Sequence, residues 1–362
     1  MPRHDNAVDF WRGFALITIF INHVPGIYFE RFTHRNVSLS DSAELFVFLA
    51  GWALRLVVDR SKNAPSDGDV VARLGGRTLV IYAAHILIIS IAIAMLAAAA
   101  LLLDNPLLLE WHNAAAAFYD PIRTHIGIVA LTHHLGYFDI LPLYVVLMAV
   151  APLIALLHRY FPRLLLPVSL TIYLLALSFR ISLPSWPVSG TWFFNPLAWQ
   201  LVFVLGFVLA KDQGLGAFVR RHITWIRWMA LPIVIAGALM VQFQWWPDPT
   251  KVPEPRLLFV AFKSYLTPLR LIQFLALVAV MSVAFPYIQK LVPRLVPFFS
   301  MLGRNSLNVF CVGSILSLAS QIARFVYKGT LAIDTLILVT GLLLLGLTAW
   351  VSEWRERSTS RG

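Results

Sequence analysis

An apolar segment near the N-terminus carries three ionisable side chains, Asp9, Arg12 and His23. His23 follows Arg12 by eleven residues. At 100° per residue this is three turns plus about 20°, so a helix presents both side chains on one face. Asp9 precedes Arg12 by three residues, a spacing at which the carboxylate can pair with the guanidinium. An imidazole in this setting suits general-base chemistry, and a guanidinium suits binding of a carboxylate or a phosphate.

The second apolar segment has the same spacing, because Glu44 and Arg55 are also eleven residues apart. If this segment runs beside the first in the opposite direction, Glu44 lies close to His23, and Arg55 lies at the same depth in the membrane as Arg12. A carboxylate bonded to one imidazole nitrogen fixes the tautomer and leaves the other nitrogen as a base. The competing interpretations are a capping box of Asp41 and Glu44, snorkelling topology signals for the arginines, and simple packing of His23.

Basic residues near the start of the third apolar segment suit an anionic cofactor that approaches from the cytoplasm. Arg73 and Arg77 belong to this group, and Arg60, Lys62 and Arg304 add to its charge. Contact with anionic lipid headgroups explains the same residues equally well. The residues expected to bind such a cofactor are Asp9, Arg12, Arg55, Arg73 and Arg77.

Another group of polar residues falls in or beside segments expected outside the cytoplasm. His134 and Asp139 formally match the His-x4-Asp pattern of soluble glycerolipid acyltransferases. This match has little weight, because five-letter patterns are common and the topology places it away from the cytoplasm. Binding of a polar substrate is the favoured interpretation. The residues expected to bind it are Arg35, Asp41, His134, Asp139, Asn195, Trp199 and Gln200.

Composition indicates the class of protein that must position these side chains. Of the 362 residues, 59% are hydrophobic and 13% charged, whereas ordinary globular chains have about 45–50% and about 25%. The mean hydropathy of +0.75 agrees. These values exclude a soluble enzyme, a disordered chain and a disulfide scaffold, and they predict a polytopic membrane protein. Cys311 is the single cysteine, so neither an intrachain disulfide nor a cysteine-based zinc site is expected.

Hydropathy divides the chain into ten candidate spans, since a bilayer core requires about 20 apolar residues per helix. They lie near 8–29, 41–60, 78–103, 137–158, 164–181, 194–211, 224–245, 266–289, 300–323 and 330–351. The first is not expected to be a cleavable signal peptide, because ionisable residues interrupt it. More of the 29 Lys and Arg residues lie on the side of the membrane that carries the two termini than on the opposite side. Because basic residues are enriched on the cytoplasmic side, this predicts cytoplasmic termini. The expected fold is an all-α integral membrane protein, a bundle of about ten transmembrane helices in one domain, 1–362.

The net charge of +11 would suggest a nucleic-acid partner in a soluble protein. Here the positive-inside rule and anionic lipids account for it, so the lipid bilayer is an expected partner and nucleic acid is not. No Walker A, H-E-x-x-H or G-x-S-x-G pattern occurs in the sequence, and no metal is expected. A transporter of glycans or small anions is the alternative of another class, because intramembrane charges also mark permeation routes. No convincing internal repeat supports it.

Five stretches of the sequence carry a family resemblance. They are RHDNAVDFWRGFALITIFINHVPG, THRNVSLSDSAELFVFLAG, FDILPLYVVLMAVAP, FFNPLAWQLVFVLG and LGRNSLNVF. These stretches resemble the OpgC family, the succinyltransferases of osmoregulated periplasmic glucans, within the membrane acyltransferase-3 superfamily. The resemblance implies ten spans in a bacterial inner membrane, an acyl-CoA donor from the cytoplasm and a glycan acceptor outside. The chain departs from the family pattern at Ala50, where serine is usual, and between Asn308 and Cys311, where a histidine is often found.

The resemblance also implies residue roles. The Arg-x10-His pair of the superfamily falls on Arg12 and His23, and the carboxylate before the second apolar run falls on Glu44. Together with the spacing, this predicts that His23 removes a proton from a sugar hydroxyl while Glu44 orients it. Arg12 and Arg55 are expected to bind the succinyl-CoA donor. An acyl-histidine intermediate and an acetyl-CoA donor for another glycan are alternatives, and the oligomeric state is not predicted.

Overall fold

Helices provide the regular structure of the computed structural model, which describes residues 6–59 and 66–359. No β-strand forms within these ranges, where Pro184 and Thr191 make one isolated bridge. Arg60 and Lys62, predicted above near an anionic cofactor, lie outside the described residues. The α-helices are α1 (Ala7–Asn22), α2 (Ser42–Asp59), α3 (Asp67–Leu102), α4 (Ala115–Tyr119), α5 (Pro121–Val129), α6 (Ile140–Tyr160), α7 (Leu165–Ser178), α8 (Pro196–Leu209), α9 (Leu215–Arg221), α10 (Ile223–Gln242), α11 (Pro268–Met281), α12 (Ala284–Leu291), α13 (Leu295–Arg304), α14 (Ser306–Tyr327) and α15 (Leu331–Thr359). The 3-10 helices are Tyr28–Phe32, His34–Asn36, Pro106–Asn113, Gly136–Asp139 and Arg256–Leu258.

Every predicted span overlaps at least one of these helices. Five helical stretches of the described chain are long and apolar enough to cross a bilayer: Asp67–Leu102, Gly136–Tyr160, Ile223–Gln242, Ser306–Tyr327 and Leu331–Thr359. A sixth is counted if α11 and α12, which meet at an angle of 50°, form one broken span. The helices α7, α8 and α13 are apolar but shorter. The chain is therefore a helical membrane protein, whereas ten spans and cytoplasmic termini stay predictions.

Capping groups explain where two of the helices begin. The helix α3 begins at Asp67, well before the predicted start near 78, because Ser66 and Asp69 form a capping box through reciprocal hydrogen bonds of 3.1 Å. The N-cap of α8 is Asn195, whose side chain accepts a hydrogen bond from the backbone N–H of Leu197. A proline at the first position of α8 fits the same helix start.

Two pairs of glycines allow neighbouring helices to approach closely. Gly13 of α1 lies against the carbonyl of Phe299 in α13, and Gly303 of α13 lies against the carbonyl of Asp9. The same reciprocal arrangement joins α2 and α8 through Gly51 and Gly206. A Cβ atom at any of these positions would overlap the opposing backbone. The glycines thus fix α1 and α2, the helices that carry the predicted catalytic residues, against the rest of the bundle.

The bundle has two distinguishable ends. At the first, here called the cavity end, α1 and α14 end while α2, α6, α8 and α11 begin. At the second, the far end, Arg55 of α2 pairs with Asp59, and Lys211 lies 3.6 Å from the same carboxylate. Arg159 of α6 pairs there with Asp67 at the start of α3. The predicted reversal of direction between the first two spans therefore agrees with the fold.

Candidate active site

A cavity of about 500 Å³ opens at the cavity end of the bundle. This volume lies within the range of about 300–1,000 Å³ typical of ligand sites. His23, Arg35, Asp41, His134 and Asp139 from the sequence analysis line it. The other polar side chains in its wall are Asn22, Ser42, Asn113, Thr132, His133, Tyr137, Ser185, Ser189, Thr191 and Lys263.

His23 is the C-cap residue of α1 and lines the cavity. Its Nδ1 atom is buried and has no hydrogen-bond partner among the described residues, so Nε2 is the ring nitrogen that a ligand in the cavity can reach. The imidazole stacks on the ring of Tyr137, with centroids 4.5 Å apart and planes at 28°. The carbonyl of His23 accepts a hydrogen bond of 2.6 Å from Nε2 of Gln321. The ring is therefore held by an aromatic face, and its backbone is held by a side chain of α14.

Glu44 does not contact His23 through a hydrogen bond, and the prediction that it orients this imidazole is wrong. Its Oε1 atom accepts hydrogen bonds from Nε and Nη2 of Arg270, at 3.0 and 2.5 Å. Its Oε2 atom accepts from the backbone N–H of Asp41 at 3.0 Å, as the capping-box interpretation expected. The Glu44 side chain is fully buried. A carboxylate without solvent requires a cation, and Arg270 from α11 supplies it.

Asp41 and Lys263 form a second ion pair beside the first. The Lys263 ammonium lies 2.5 Å from Oδ2 of Asp41, and Arg270 lies 3.8 Å from the same oxygen. The ammonium also lies over the ring of Phe194, 5.4 Å from its centroid. With Glu44, this cluster contains two carboxylates and two cations, so its formal charges balance.

Arg35 is the cavity residue whose positive charge is least engaged among the described side chains of the wall. Its guanidinium makes one 3.4 Å contact with Glu30, and 54% of its side chain is exposed. Surface ion pairs of this kind contribute about 0–1 kcal/mol. The guanidinium can therefore exchange Glu30 for an anionic ligand at little cost.

His134 and Asp139 lie in the wall formed by the segment before α6. The Nε2 atom of His134 lies 2.9 Å from the carbonyl of Leu131, and its ring meets the edge of Trp192 with centroids 4.5 Å apart. Burial lowers the pKa of His134 from its ordinary value of 6.5 to about 4. Asp139 is buried beside the cavity at the end of the 3-10 helix Gly136–Asp139.

The structure corrects three of the predicted substrate contacts. Asn195, Trp199 and Gln200 do not line the cavity. Asn195 caps α8 and donates to the carbonyl of Ile181. The indole of Trp199 donates to the carbonyls of Lys263 and Ser264, whereas Gln200 bonds to Ser169. The polar groups of these three side chains form hydrogen bonds within the protein.

The residues predicted to bind an anionic cofactor do not line the cavity either. Asp9 and Arg12 are not within ion-pair distance. Asp9 accepts a hydrogen bond from Asn6, and Nε of Arg12 is buried with no partner in the part of the chain that the structure describes. Arg73 and Arg77 are exposed on α3. The predicted pairing of Asp9 with Arg12 is therefore wrong, because the helix cap at Asn6 holds the carboxylate.

Arg55 belongs to a separate group at the far end. Its Nε donates to Asp59 at 2.9 Å, and its remaining nitrogens lie 2.5 Å from Nε2 of His158 and 3.1 Å from Oε1 of Gln213. The guanidinium also lies 5.1 Å from the ring centroid of Phe207. Arg55 thus joins α2 to α6 and to the turn after α8.

Sequence reasoning missed a row of polar residues on α14 that holds the C-terminal end of α1. Ser317 donates to the carbonyl of Phe20 at 3.2 Å, and Gln321 donates to that of His23. Arg324 donates to the carbonyls of Pro25 and Gly26 in the turn that follows. Its ion pair with Asp334 is 2.8 Å long. The available signal was the spacing of polar residues at 317, 321 and 324, which places them on one face of an apolar helix.

Comparison with known proteins gives one family. The sequence model of the family described as OpgC protein matches residues 4–357, nearly the whole chain. No curated protein and no solved structure matches the chain.

Proposed function

Because this chain belongs to the OpgC family, which indicates a membrane acyltransferase, we propose that it transfers the succinyl group of succinyl-CoA to hydroxyls of a periplasmic glucan. The observation that carries the proposal is the position of His23. Its imidazole lines a cavity large enough for a sugar, with Nδ1 buried and Nε2 left to the ligand. A sugar hydroxyl is barely ionised at neutral pH, so it is a weak nucleophile. A base beside the hydroxyl accepts its proton and activates the oxygen for attack.

In the proposed step, Nε2 of His23 removes the proton of the sugar hydroxyl as its oxygen attacks the thioester carbonyl carbon. A C–O bond forms, the C–S bond breaks, and the proton passes from the imidazolium to the departing thiolate. The products are a succinyl ester and coenzyme A, so atoms and charges balance. General-base catalysis contributes about 10²–10⁴ in rate. Attack by His23 itself, through an acyl-histidine, is the alternative route.

The succinyl group differs from an acetyl group by a free carboxylate, and the cavity contains a partner for it. Arg35 lines the same cavity as His23 and has one weak partner. Guanidinium binds carboxylate through two parallel hydrogen bonds. We assign recognition of the succinyl carboxylate to Arg35. Arg12 and Arg55 lie outside this cavity and would bind the coenzyme A portion of the donor.

The acceptor would enter from the cavity end. Phe193 and Phe194 line the cavity beside hydroxyl, amide and imidazole groups, and sugars bind to such mixtures of aromatic faces and hydrogen-bonding groups. Under this proposal the cavity end faces the periplasm and the far end faces the cytoplasm. The chain would cross the bacterial inner membrane ten times, with both termini in the cytoplasm.

The decisive experiment incubates purified protein with radiolabelled succinyl-CoA and periplasmic glucan. We expect esterified glucan and an equal amount of free coenzyme A. His23→Ala should abolish both products, and His125→Ala, which changes an exposed histidine outside the cavity, should leave them unchanged. Movement of glucan or succinate across proteoliposomes without ester formation would replace this proposal with a transporter.

A further inference from the structure

We propose that Tyr137 is the positioning residue of His23, and that its ring replaces the carboxylate usually paired with a catalytic histidine. This inference rests on the proposed function, in which His23 becomes positively charged during transfer. Glu44 cannot take the role, because its two oxygens are bonded to Arg270 and to the backbone of Asp41. Nothing in the described chain hydrogen-bonds to Nδ1 of His23.

The rings of His23 and Tyr137 lie face to face. Tyr137 and His23 are stacked, with centroids 4.5 Å apart and planes at 28°. The face of an aromatic ring carries negative charge density and attracts a cation within about 6 Å of its centroid. An imidazolium formed at His23 would therefore lie directly against this face, whereas the neutral imidazole gains less from it.

Tyr137 is itself held by α14 and by His112. Its hydroxyl donates a hydrogen bond of 3.0 Å to the carbonyl of Ser314 in α14. The ring of His112 meets it edge to face, with centroids 4.9 Å apart. His112 in turn lies 2.8 Å from Oε1 of Gln321, whose Nε2 holds the carbonyl of His23. The side-chain amide of Gln321 therefore contacts both His112, which packs on Tyr137, and the backbone of His23.

Gly136 directly precedes Tyr137 in the sequence. Its φ of +38° lies in the left-handed region, and a Cβ atom there would overlap the His112 ring. Glycine is the residue that tolerates both conditions. The absence of a side chain at Gly136 thus leaves room for His112 to contact the ring of Tyr137.

The size of the effect follows from cation–π energies. They are about 0.5–1 kcal/mol at exposed sites and about 2 kcal/mol when desolvated. At 1.36 kcal/mol per factor of ten in rate, loss of the aromatic face should lower kcat by roughly 2–30-fold. The KM for succinyl-CoA should change little, because the neutral imidazole of the ground state depends less on this face.

The test compares Tyr137→Leu with Tyr137→Phe in the succinyl transfer assay. Tyr137→Leu should lower kcat roughly 2–30-fold with KM within about twofold, whereas Tyr137→Phe keeps the ring and should recover most of the rate. Tyr173→Leu is the matched control, since Tyr173 is also packed inside the protein and donates to a backbone carbonyl, that of Leu266, at 2.8 Å. Its kcat per folded molecule should equal that of the wild type.

A series of fluorinated phenylalanines at position 137 makes the test independent of folding, because fluorine weakens the negative face with little change in shape. We expect the logarithm of kcat to fall steadily with each added fluorine. A flat series, a normal kcat for Tyr137→Leu, or a Tyr137→Phe as slow as Tyr137→Leu would overturn the inference. If the wild type transfers succinyl and His23→Ala does not, these results concern Tyr137 alone. A wild type that transfers nothing would overturn the proposed function as well.

Discussion

Glu44 and Arg270, which are 226 residues apart in the sequence, form a buried ion pair in which one carboxylate oxygen accepts two guanidinium hydrogen bonds. The Glu44 side chain has no exposed surface, and that of Arg270 is 13% exposed. The pair joins the first turn of α2 to the first turn of α11. Removing one charge leaves the other in an apolar environment, which costs about 3–5 kcal/mol.

Glu44→Gln and Arg270→Met should each destabilise the protein strongly, and the double variant should recover a large part of the loss. Thermal unfolding in detergent measures the four members of this double-mutant cycle. The kcat of folded Glu44→Gln should stay far above that of His23→Ala. A stable Glu44→Gln that is as inactive as His23→Ala would instead place Glu44 in the chemistry.

Arg35→Gln should change the preference between acyl donors. Charge-assisted hydrogen bonds contribute about 1.5–3 kcal/mol, so kcat/KM for succinyl-CoA should fall roughly 10–150-fold. The value for acetyl-CoA should change little. Arg31→Gln is the control, because Arg31 lies over the ring of Tyr28, 5.2 Å from its centroid, and outside the cavity. An equal loss with both donors would show that Arg35 does not read the carboxylate.

Gly51→Ala should destabilise the protein, because the added methyl group overlaps the backbone of Phe203 in α8. Overpacking of this kind costs about 1–3 kcal/mol. Gly75→Ala on α3 is the matched control, since no atom lies within 4 Å of its Cβ position. It should be neutral or stabilise the helix by about 0.5–1 kcal/mol. Equal melting temperatures for the two variants would contradict the role of Gly51 in the α2–α8 contact.

The stability should fall as the pH decreases from 6.5 towards 4, in part because of His134. Its pKa is about 4 in the folded protein and 6.5 ordinarily, since burial disfavours the charged ring. Between these values the unfolded chain binds a proton that the folded chain does not, so acid favours unfolding. His134→Gln should reduce the slope of melting temperature against pH in this range, whereas the exposed His125→Gln should not. An unchanged slope for His134→Gln would contradict the burial effect.

Local hydropathy predicted where apolar helices lie, since every predicted span overlaps a helix. It did not predict that 266–289 breaks into α11 and α12, or that 300–323 breaks into α13 and α14. The sequence also predicted that His23 and Glu44 lie near one end of neighbouring helices. It could not predict the partner of Glu44, because helical spacing shows which face a side chain occupies and does not identify the distant helix that packs there. Arg270 lies 226 residues further along the chain and reaches Glu44 only through the tertiary structure.

The sequence contains a local signal for the role of Asn195 and none for that of Tyr137. Asn195 is followed by Pro196, a combination typical of a helix start, and this predicts a cap better than a sugar contact. Tyr137 had no signal of its own, since an aromatic residue in an apolar segment is ordinary. Its importance depends on His112 and Gln321, which come from remote parts of the chain.

The donors that α14 offers to the end of α1 recur with the pitch of the helix, at Ser317, Gln321 and Arg324. An axial slide of α14 by a fraction of its 5.4 Å pitch would detach them from their carbonyls together. The backbone around His23 therefore keeps its place only while α14 keeps its own axial position.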